Sequence, residues 1–503
     1  MPGYDHLNFP GDYKLDEIKI INAVGEPLTL RMGQVQELNI YEDINSSSLT
    51  GSMAIIDAHN IITQAQLQGN ERLIFKLHTP GNSEENKVMY VDATEQTGHP
   101  FHIYALSDRV NLTETTMSYT LHFCSRELFR NARTRVSQAY NGGLAESVVS
   151  ILRDREGLDT RKNIFFEKTR NQDKIVIPNI RPFDAIDMIA SKALSKNGKG
   201  AGYYFYETTK GFHFRSYENM LGNLSMYPRE ETVTLHFTPK KVHNNIYMNE
   251  HGIDSYEFLQ HYDTLSQQAS GTYANRVITH NLYDKSYSIK DYHYHNYFSD
   301  MFHADQIGTA SMKNFHISNS PVDDELREYP DKGHKTASDY PNSKVVLQPS
   351  TRFLHNEDTG IFGTSPDNEG LTEGIRISQE NQVENSTRVK VVMKGHSYLQ
   401  VGDIVNFRLP SMEPNKGDKV GYGYDEHHSG RYLIAKLRHR VIKSEYKMVL
   451  ELVKDSVYRK YQDAENDYYE VNESYNSKTQ DIYDLDEFNI GESASPGHPS
   501  NRT

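Results

Sequence analysis

The chain is 503 residues long, room for roughly three or four ordinary domains, and 36% hydrophobic residues let it build cores while leaving it on the polar side. A single cysteine, Cys124, excludes a disulfide framework or a multi-cysteine zinc site within one chain, and no apolar run approaches the roughly 18–20 residues of a spanning helix. Of the formal charge of −14, −8 falls in residues 461–503, with ten Asp and Glu against two Lys and Arg, so the nearly balanced body lacks the basic excess of a nucleic-acid binder.

Residues 1–5 lack the basic-then-apolar pattern of a secretory signal, so a soluble protein made in a reducing compartment and free of membranes is expected. The 34 Tyr, 20 Phe and no Trp favour half-buried strand positions and a β-rich class.

The first 125 residues read as short strands at spacings near ten residues. Ile18 to Ile21 and Leu28 to Leu30 flank a Gly-Glu-Pro turn. Val35 to Tyr41, Gly51 to Ile56, Leu73 to Leu77, Phe101 to Leu106 and Tyr119 to Phe123 follow, a pattern of a barrel or sandwich. The period then changes. A helix is expected to start near Ser125, and another over 144–156 places Leu144, Val148, Ile151 and Leu152 on one stripe, with Gly157 as its stop. A third opens at Arg181-Pro182, with Phe183, Ile186, Ile189, Ala190, Ala193 and Leu194 as its apolar face. Tyr203 to Glu207 and Gly211 to Arg215 read as a hairpin, so 126–235 is a small α+β unit.

Strands return at 275–283 and 287–294. Between about 310 and 385 the chain loses periodicity and collects Pro321, Pro330, Pro341, Pro349 and Pro366 with Gly360, Gly363, Gly370 and Gly374, which reads as a loop-rich excursion. Strands resume at 388–393, 402–407, 432–437 and 446–453. The acidic, Tyr-rich residues 459–503 read as a tail that is disordered or ordered only on a partner.

No catalytic, cofactor or metal residue emerges. His293 and His295 share a strand face by period two, yet exposed strand histidines are the commoner case in a chain with 23 of them. Asp425-Glu426-His427-His428 reads as a solvated loop tip. Gly198 to Gly202 follows a helix and precedes a strand, the reverse of a phosphate-cradling loop, so a helix stop explains its glycines better. Cys124, between His122, Phe123 and Ser125, ends an alternating strand and reads as a small buried thiol. Neither His-Glu-x-x-His nor Gly-x-Ser-x-Gly occurs. Gly402 is expected in the turn leading into Ile404-Val405, where a β-branched residue would be costly if φ is positive.

Two sets of segments carry a resemblance. The first runs from Leu28-Thr-Leu-Arg-Met through Glu37-Leu-Asn-Ile-Tyr-Glu-Asp-Ile, Leu49-Thr-Gly-Ser-Met-Ala-Ile-Ile-Asp and Gly69-Asn-Glu. It continues through Phe101-His-Ile-Tyr-Ala-Leu-Ser-Asp, Tyr119-Thr-Leu-His-Phe-Cys-Ser-Arg-Glu and Asn131-Ala-Arg-Thr-Arg-Val-Ser. The second comprises Val401-Gly-Asp-Ile-Val, Ser429-Gly-Arg-Tyr-Leu-Ile-Ala-Lys-Leu-Arg-His and Tyr446-Lys-Met-Val-Leu-Glu-Leu, with Arg181-Pro-Phe-Asp-Ala-Ile-Asp-Met-Ile-Ala between the sets. In this order, over about 14–455, the chain resembles the central baseplate hub protein of contractile-tailed bacteriophages. It is similar also to the hub part of type VI secretion spike proteins.

The resemblance implies a β-rich α+β fold with two similar tube-type β-barrels around the small α+β domain. The expected boundaries are 1–125 for the first barrel, 126–235 for the middle domain, and 236–300 with 386–458 for a split second barrel. Residues 301–385 form the insertion and 459–503 the tail. It implies a structural virion protein of the tail baseplate, made and assembled in the host cytoplasm, without cofactors. Three copies form a pseudo-sixfold ring that adapts a hexameric tube, or a tube-initiator protein, to a trimeric spike expected to be a separate protein. Other baseplate proteins surround it, and genomic DNA passes through without sequence-specific binding. Two rival readings are a cell-wall hydrolase of the same particle, for which no catalytic signature is present, and a β-rich carbohydrate-binding adhesin, against which the lack of Trp counts.

Overall fold

The computed structural model describes residues 10–31, 33–80, 90–94, 99–170, 172–196, 200–222, 233–237, 251–261, 263–281, 285–298, 301–304, 337–349, 369–410, 425, 428–442, 445–456 and 485–488. The first segment holds β1 (Lys14–Ile21), β2 (Pro27–Thr29), β3 (Val35–Asp43), β4 (Thr50–Asp57), the short α1 (Ile61–Gln64), β5 (Arg72–His78), β6 (Tyr90–Asp92), β7 (Phe101–Asn111) and β8 (Met117–Cys124). Burial along β4 alternates residue by residue, with Met53 and Ile55 inward, as a strand with one wet face requires.

The middle unit comprises α2 (Arg126–Arg133), β9 (Val136–Gly143), α3 (Leu144–Arg153), β10 (Asn163–Glu167), β11 (Gln172–Ile180), α4 (Pro182–Ala190), β12 (Tyr203–Thr208), β13 (Gly211–Ser216) and α5 (Tyr217–Gly222). Leu144, Val148, Ile151 and Leu152 of α3 and Ile186 and Ile189 of α4 pack with Phe205, Phe212 and Phe214 into a core of their own. Each such burial is worth roughly 1.5–3 kcal/mol. The stripes expected on 144–156 and 181–194 are therefore the ones that pack, although both helices end earlier.

Then come β14 (Thr234–His236), β15 (Ile253–Gln260), α6 (Thr264–Ser270), β16 (Ala274–His280), β17 (Tyr287–His293), α7 (Tyr294–Phe298), β18 (Val345–Pro349), α8 (Glu369–Asn385), β19 (Thr387–Lys394), β20 (Ile404–Arg408), β21 (Gly430–Ile442), β22 (Glu445–Lys454) and β23 (Leu485–Phe488). The two end segments do not stand apart. Their strands run in the order β15-β19-β22-β21-β3-β4-β8-β7-β5-β1-β2, with β3 paired antiparallel to β21 from Glu37↔Ile442 to Asp43↔Lys436. Ile40, Met53, Leu121 and Phe123 share one core with Val391, Leu437, Leu450 and Leu452.

Three expectations need correction. The hairpin β16–β17, placed in the second barrel by its position in the chain, belongs to a separate three-stranded sheet, β17-β16-β18. A hairpin's alternation fixes its faces but not the sheet it joins, and its partner here lies some fifty residues further on. The 301–385 insertion is not all loop: β18 pairs parallel with β16, and α8 packs on β16 and β17. The glycines that read as loop punctuation allow close approach, Gly370 beside Lys290 and Thr279, and Gly374 beside Asn275 and Tyr292. In the tail, β23 pairs antiparallel with β10 from Ile164↔Phe488 to Glu167↔Leu485, so part of it is ordered on the chain itself. The rest of the tail, and residues 305–336 and 350–368 of the insertion, lie outside the described residues.

Candidate functional site

Three parts of the chain meet at the turn joining β12 to β13. From β3, the buried Glu42 accepts the Thr209 amide of this turn at 2.8 Å and the Val401 amide of the C-terminal segment at 3.0 Å. Thr208 donates to Gln400 Oε1 at 2.9 Å. Next to them Gly402 has φ +89°, its amide bonded to the Ile434 carbonyl at 2.9 Å, and a Cβ there would run into the Tyr206 hydroxyl. The condition under which a β-branched residue would be costly at Gly402 is thus met, and the residue's smallness makes room for the ring of Tyr206, which stacks on His213 at 4.8 Å.

The same hairpin is fastened to the first segment by a buried ion cluster. Glu207 of β12 accepts the Leu49 amide at 2.8 Å and the Ser125 hydroxyl at 2.5 Å, and its other oxygen takes the Lys162 ammonium. Lys162 also donates to Glu127 of α2 at 3.1 Å, and Thr160 donates to the second Glu127 oxygen at 2.7 Å. Burial by itself would raise the Glu127 carboxyl, but the Lys162 charge and the Thr160 hydroxyl outweigh it and hold it at about 2. Burial pushes Glu207 up despite the same lysine; burial alone would lower Lys162, but its two carboxylates outweigh it and hold the ammonium above its ordinary value. One ammonium thus serves two carboxylates, each polar atom taken by a neighbour. The cluster is a fastening, shut off from solvent.

The wet face of the long sheet carries the other concentration of charge. Across β15, β19, β22, β21 and β3 one row alternates in sign: Glu257, Lys390, Glu451, Lys436, Asp43. The next row is Val392, Val449, Arg438 and Tyr41, with the Arg438 guanidinium 5.6 Å from the Tyr41 ring centre. A third is Lys394, Lys447, Arg440 and Asn39. Every cation of the rows lies within reach of a carboxylate. Lys390 meets Glu257 at 3.5 Å, and Lys436 meets Asp43 at 3.5 Å and Glu451 at 3.9 Å. Arg438 and Arg440 share Glu37 at 2.8 and 2.9 Å. Lys394 and Lys447 share Asp254 and Glu445. The hydrogen bonds and charges of the two arginines overcome partial burial and hold the Glu37 carboxyl below its usual range.

The residues singled out in the sequence are dispersed. His293 Nδ1 bonds the Ser338 carbonyl at 2.7 Å, while the side chains of His295, Glu426 and His427 lie outside the described residues. Asp425 meets His428 at 2.8 Å. The amides of Ala201 and Gly202 both donate to Gln379 Oε1 of α8 at 2.9 Å, so the glycine turn is occupied by a side chain; Gly198 and Lys199 are outside the described residues. Cys124 is buried, and burial, with Glu207 nearby, pushes its thiol up to about 12. Among the described residues no three His, Cys, Asp or Glu side chains are placed to hold a metal ion, and no helix is long and apolar enough to cross a membrane. The sequence reading missed Glu42, Glu127, Lys162, Glu207 and the charged rows. For the rows a signal existed: Arg388, Lys390 and Lys394, and Lys436, Arg438 and Arg440, fall on one face by period two, with Val389, Val391, Met393 and Leu437 on the other.

No protein-family model matches the chain. A probable baseplate hub protein of Vibrio phage KVP40 is 19% identical over 426 residues, 84% of this chain and 90% of that protein. That relative is of the family the ordered segments resemble. Among solved structures, the tail protein from Neisseria meningitidis MC58 has 10% identity and a TM-score of 0.47, covering 89% of this chain and 98% of its own. The 43 kDa tail protein of prophage MuSo2 from Shewanella oneidensis has 9% identity and a TM-score of 0.45, covering 88% and 99%.

Proposed function

We propose that the chain is a structural subunit of the central hub of a phage-type tail baseplate and not an enzyme. The observation that carries this reading is the likeness to the Vibrio phage hub protein, which spans nearly the full length of both chains rather than one shared domain. In this reading three copies close into a pseudo-sixfold ring, each contributing two strand sets, β1–β8 and β14, β15 with β19–β22. Closed symmetry stops growth at a ring rather than a filament. The ring joins the hexameric tube, or its initiator, to a trimeric spike, touches other baseplate proteins and lets genomic DNA through during ejection. The continuous pairing of β3 with β21 supports a role in bearing load, because the two strand sets cannot separate without breaking a seven-position ladder and a shared core.

Electron microscopy of the purified assembly tests the reading: class averages should show a ring with a central hole and six similar lobes. Compact particles without a hole contradict it. On embedded peptidoglycan the protein should leave no cleared zone. Clearing that disappears on substitution of one acidic residue would favour the hydrolase instead.

A further inference from the structure

The wet face of the long sheet is unlike a surface built to hold another protein. Its charges are already matched by their own neighbours, so a docking partner would have to strip water from paired groups and gain little in return. The apolar positions among its rows are few, chiefly Val392, Val449 and Tyr41. The outer face of the small sheet offers the contrast: Ile278, Ile289 and Leu347 lie side by side in register, with Leu347 72% exposed and Tyr287 beyond them 70% exposed. The long-sheet face stays open and hydrated, with Lys390 46% and Glu257 65% exposed.

Such a face suits a polyanion that must pass without being held. Unpaired cations would bind duplex DNA through its phosphates, releasing counterions and retaining it, while a wall of acids alone would repel it. Here seven cations, with Arg388 pairing Glu451 at 2.6 Å, stand among six carboxylates in a chain whose overall charge is −14. A phosphate drawing near meets each cation only in exchange for that cation's own carboxylate.

We infer that the open face of β15, β19, β22, β21 and β3 is the wall along which duplex DNA travels, its ion-pair rows keeping the attraction near balance. The assignment rests on the hub reading, which supplies the ring and its passage.

Thiol accessibility in the assembled ring tests the placement. Cys124 is buried, so an introduced cysteine is the reactive one. Lys390→Cys, with Lys436→Cys as a second position should the first fail to assemble, should react with a small maleimide but be protected from one carried on a bulky polymer. Leu265→Cys, on α6 and 80% exposed, should react with both. A ring in which the Lys390 and Lys436 positions accept the bulky reagent, or refuse even the small one because a protein covers them, overturns the assignment while leaving the hub reading intact. Particles that never form a ring fail the hub reading itself and take the assignment with it.

The balance is tested separately, in solution. The ring carrying Glu37→Gln, Glu257→Gln and Glu451→Gln together should retain a short duplex that the unaltered ring releases. The log of that affinity should fall against the log of salt concentration by roughly 0.9 per phosphate engaged. No gain in retention would overturn the balancing role.

Discussion

At the scale of single residues, Gly402 and the Lys162 cluster carry the most direct consequences. Gly402→Val would combine strained φ with a collision against Tyr206, a cost of about 3 kcal/mol or more in urea unfolding. Gly33→Ala, with open space around the added methyl, should change stability by less than about 0.5 kcal/mol. Lys162→Met would leave Glu127 and Glu207 buried without their cation, a loss of about 3–5 kcal/mol at neutral pH. The pH dependence should also invert. In the unaltered protein Glu127, held at about 2, contributes stability that is present above the usual carboxylate value and is lost as pH falls towards 2. In the variant both carboxyls are raised, so the variant should recover stability on mild acidification, read as urea midpoint against pH. A variant whose midpoint falls in parallel with the unaltered protein would show that the cluster is not the fastening described.

At the scale of elements, the strands of the first 125 residues were legible because one face of each is sunk in a core and the other is wet, which writes period two into the sequence. Helix α8 was not legible. Its buried stripe includes Ser378, Gln379 and Gln382 beside Ile375 and Val383: Ser378 donates to the Thr272 carbonyl, Gln379 accepts the amides of Ala201 and Gly202, and Gln382 donates to Ser378. An apolar-periodicity reading passes over a helix whose inward face is half polar. Its Gly374 is a packing glycine: an added Cβ would lie 2.8 Å from Asn275 Oδ1 and 3.0 Å from Tyr292 Cβ. Gly374→Ala should therefore destabilise by roughly 1–3 kcal/mol in thermal unfolding, although alanine in an open helix position would gain about 1 kcal/mol. A stabilised variant would contradict the close packing. Strand β23 adds one edge ladder to the middle sheet. Removing residues 457–503 should leave the melting temperature nearly unchanged but speed hydrogen exchange at the β10 edge, since an edge strand's unpaired groups open to water. Unaltered exchange along residues 164–167 would mean that the strand does not dock there.

At the scale of the whole molecule, the class and the order of segments were legible, while the joints were not. Glu42 draws together residues 167 and 359 positions away, and Glu207 reaches Leu49 across 158. No local pattern announces such meetings, because each carboxylate reads alone as one of 68 acids. The continuous sheet through β3 and β21 was hidden for the same reason. Periodicity names the strands and their faces but not the edges that join. Those joints make the three parts one stiff body, and the hub reading requires that body to assemble by threes. Native mass spectrometry of the purified protein, alone and with its co-assembled spike, measures this directly. The expected species has three times the chain's 57.8 kDa, with spike subunits adding to that trimer in threes; a stable monomer or dimer that persists with the spike present would contradict assembly by threes.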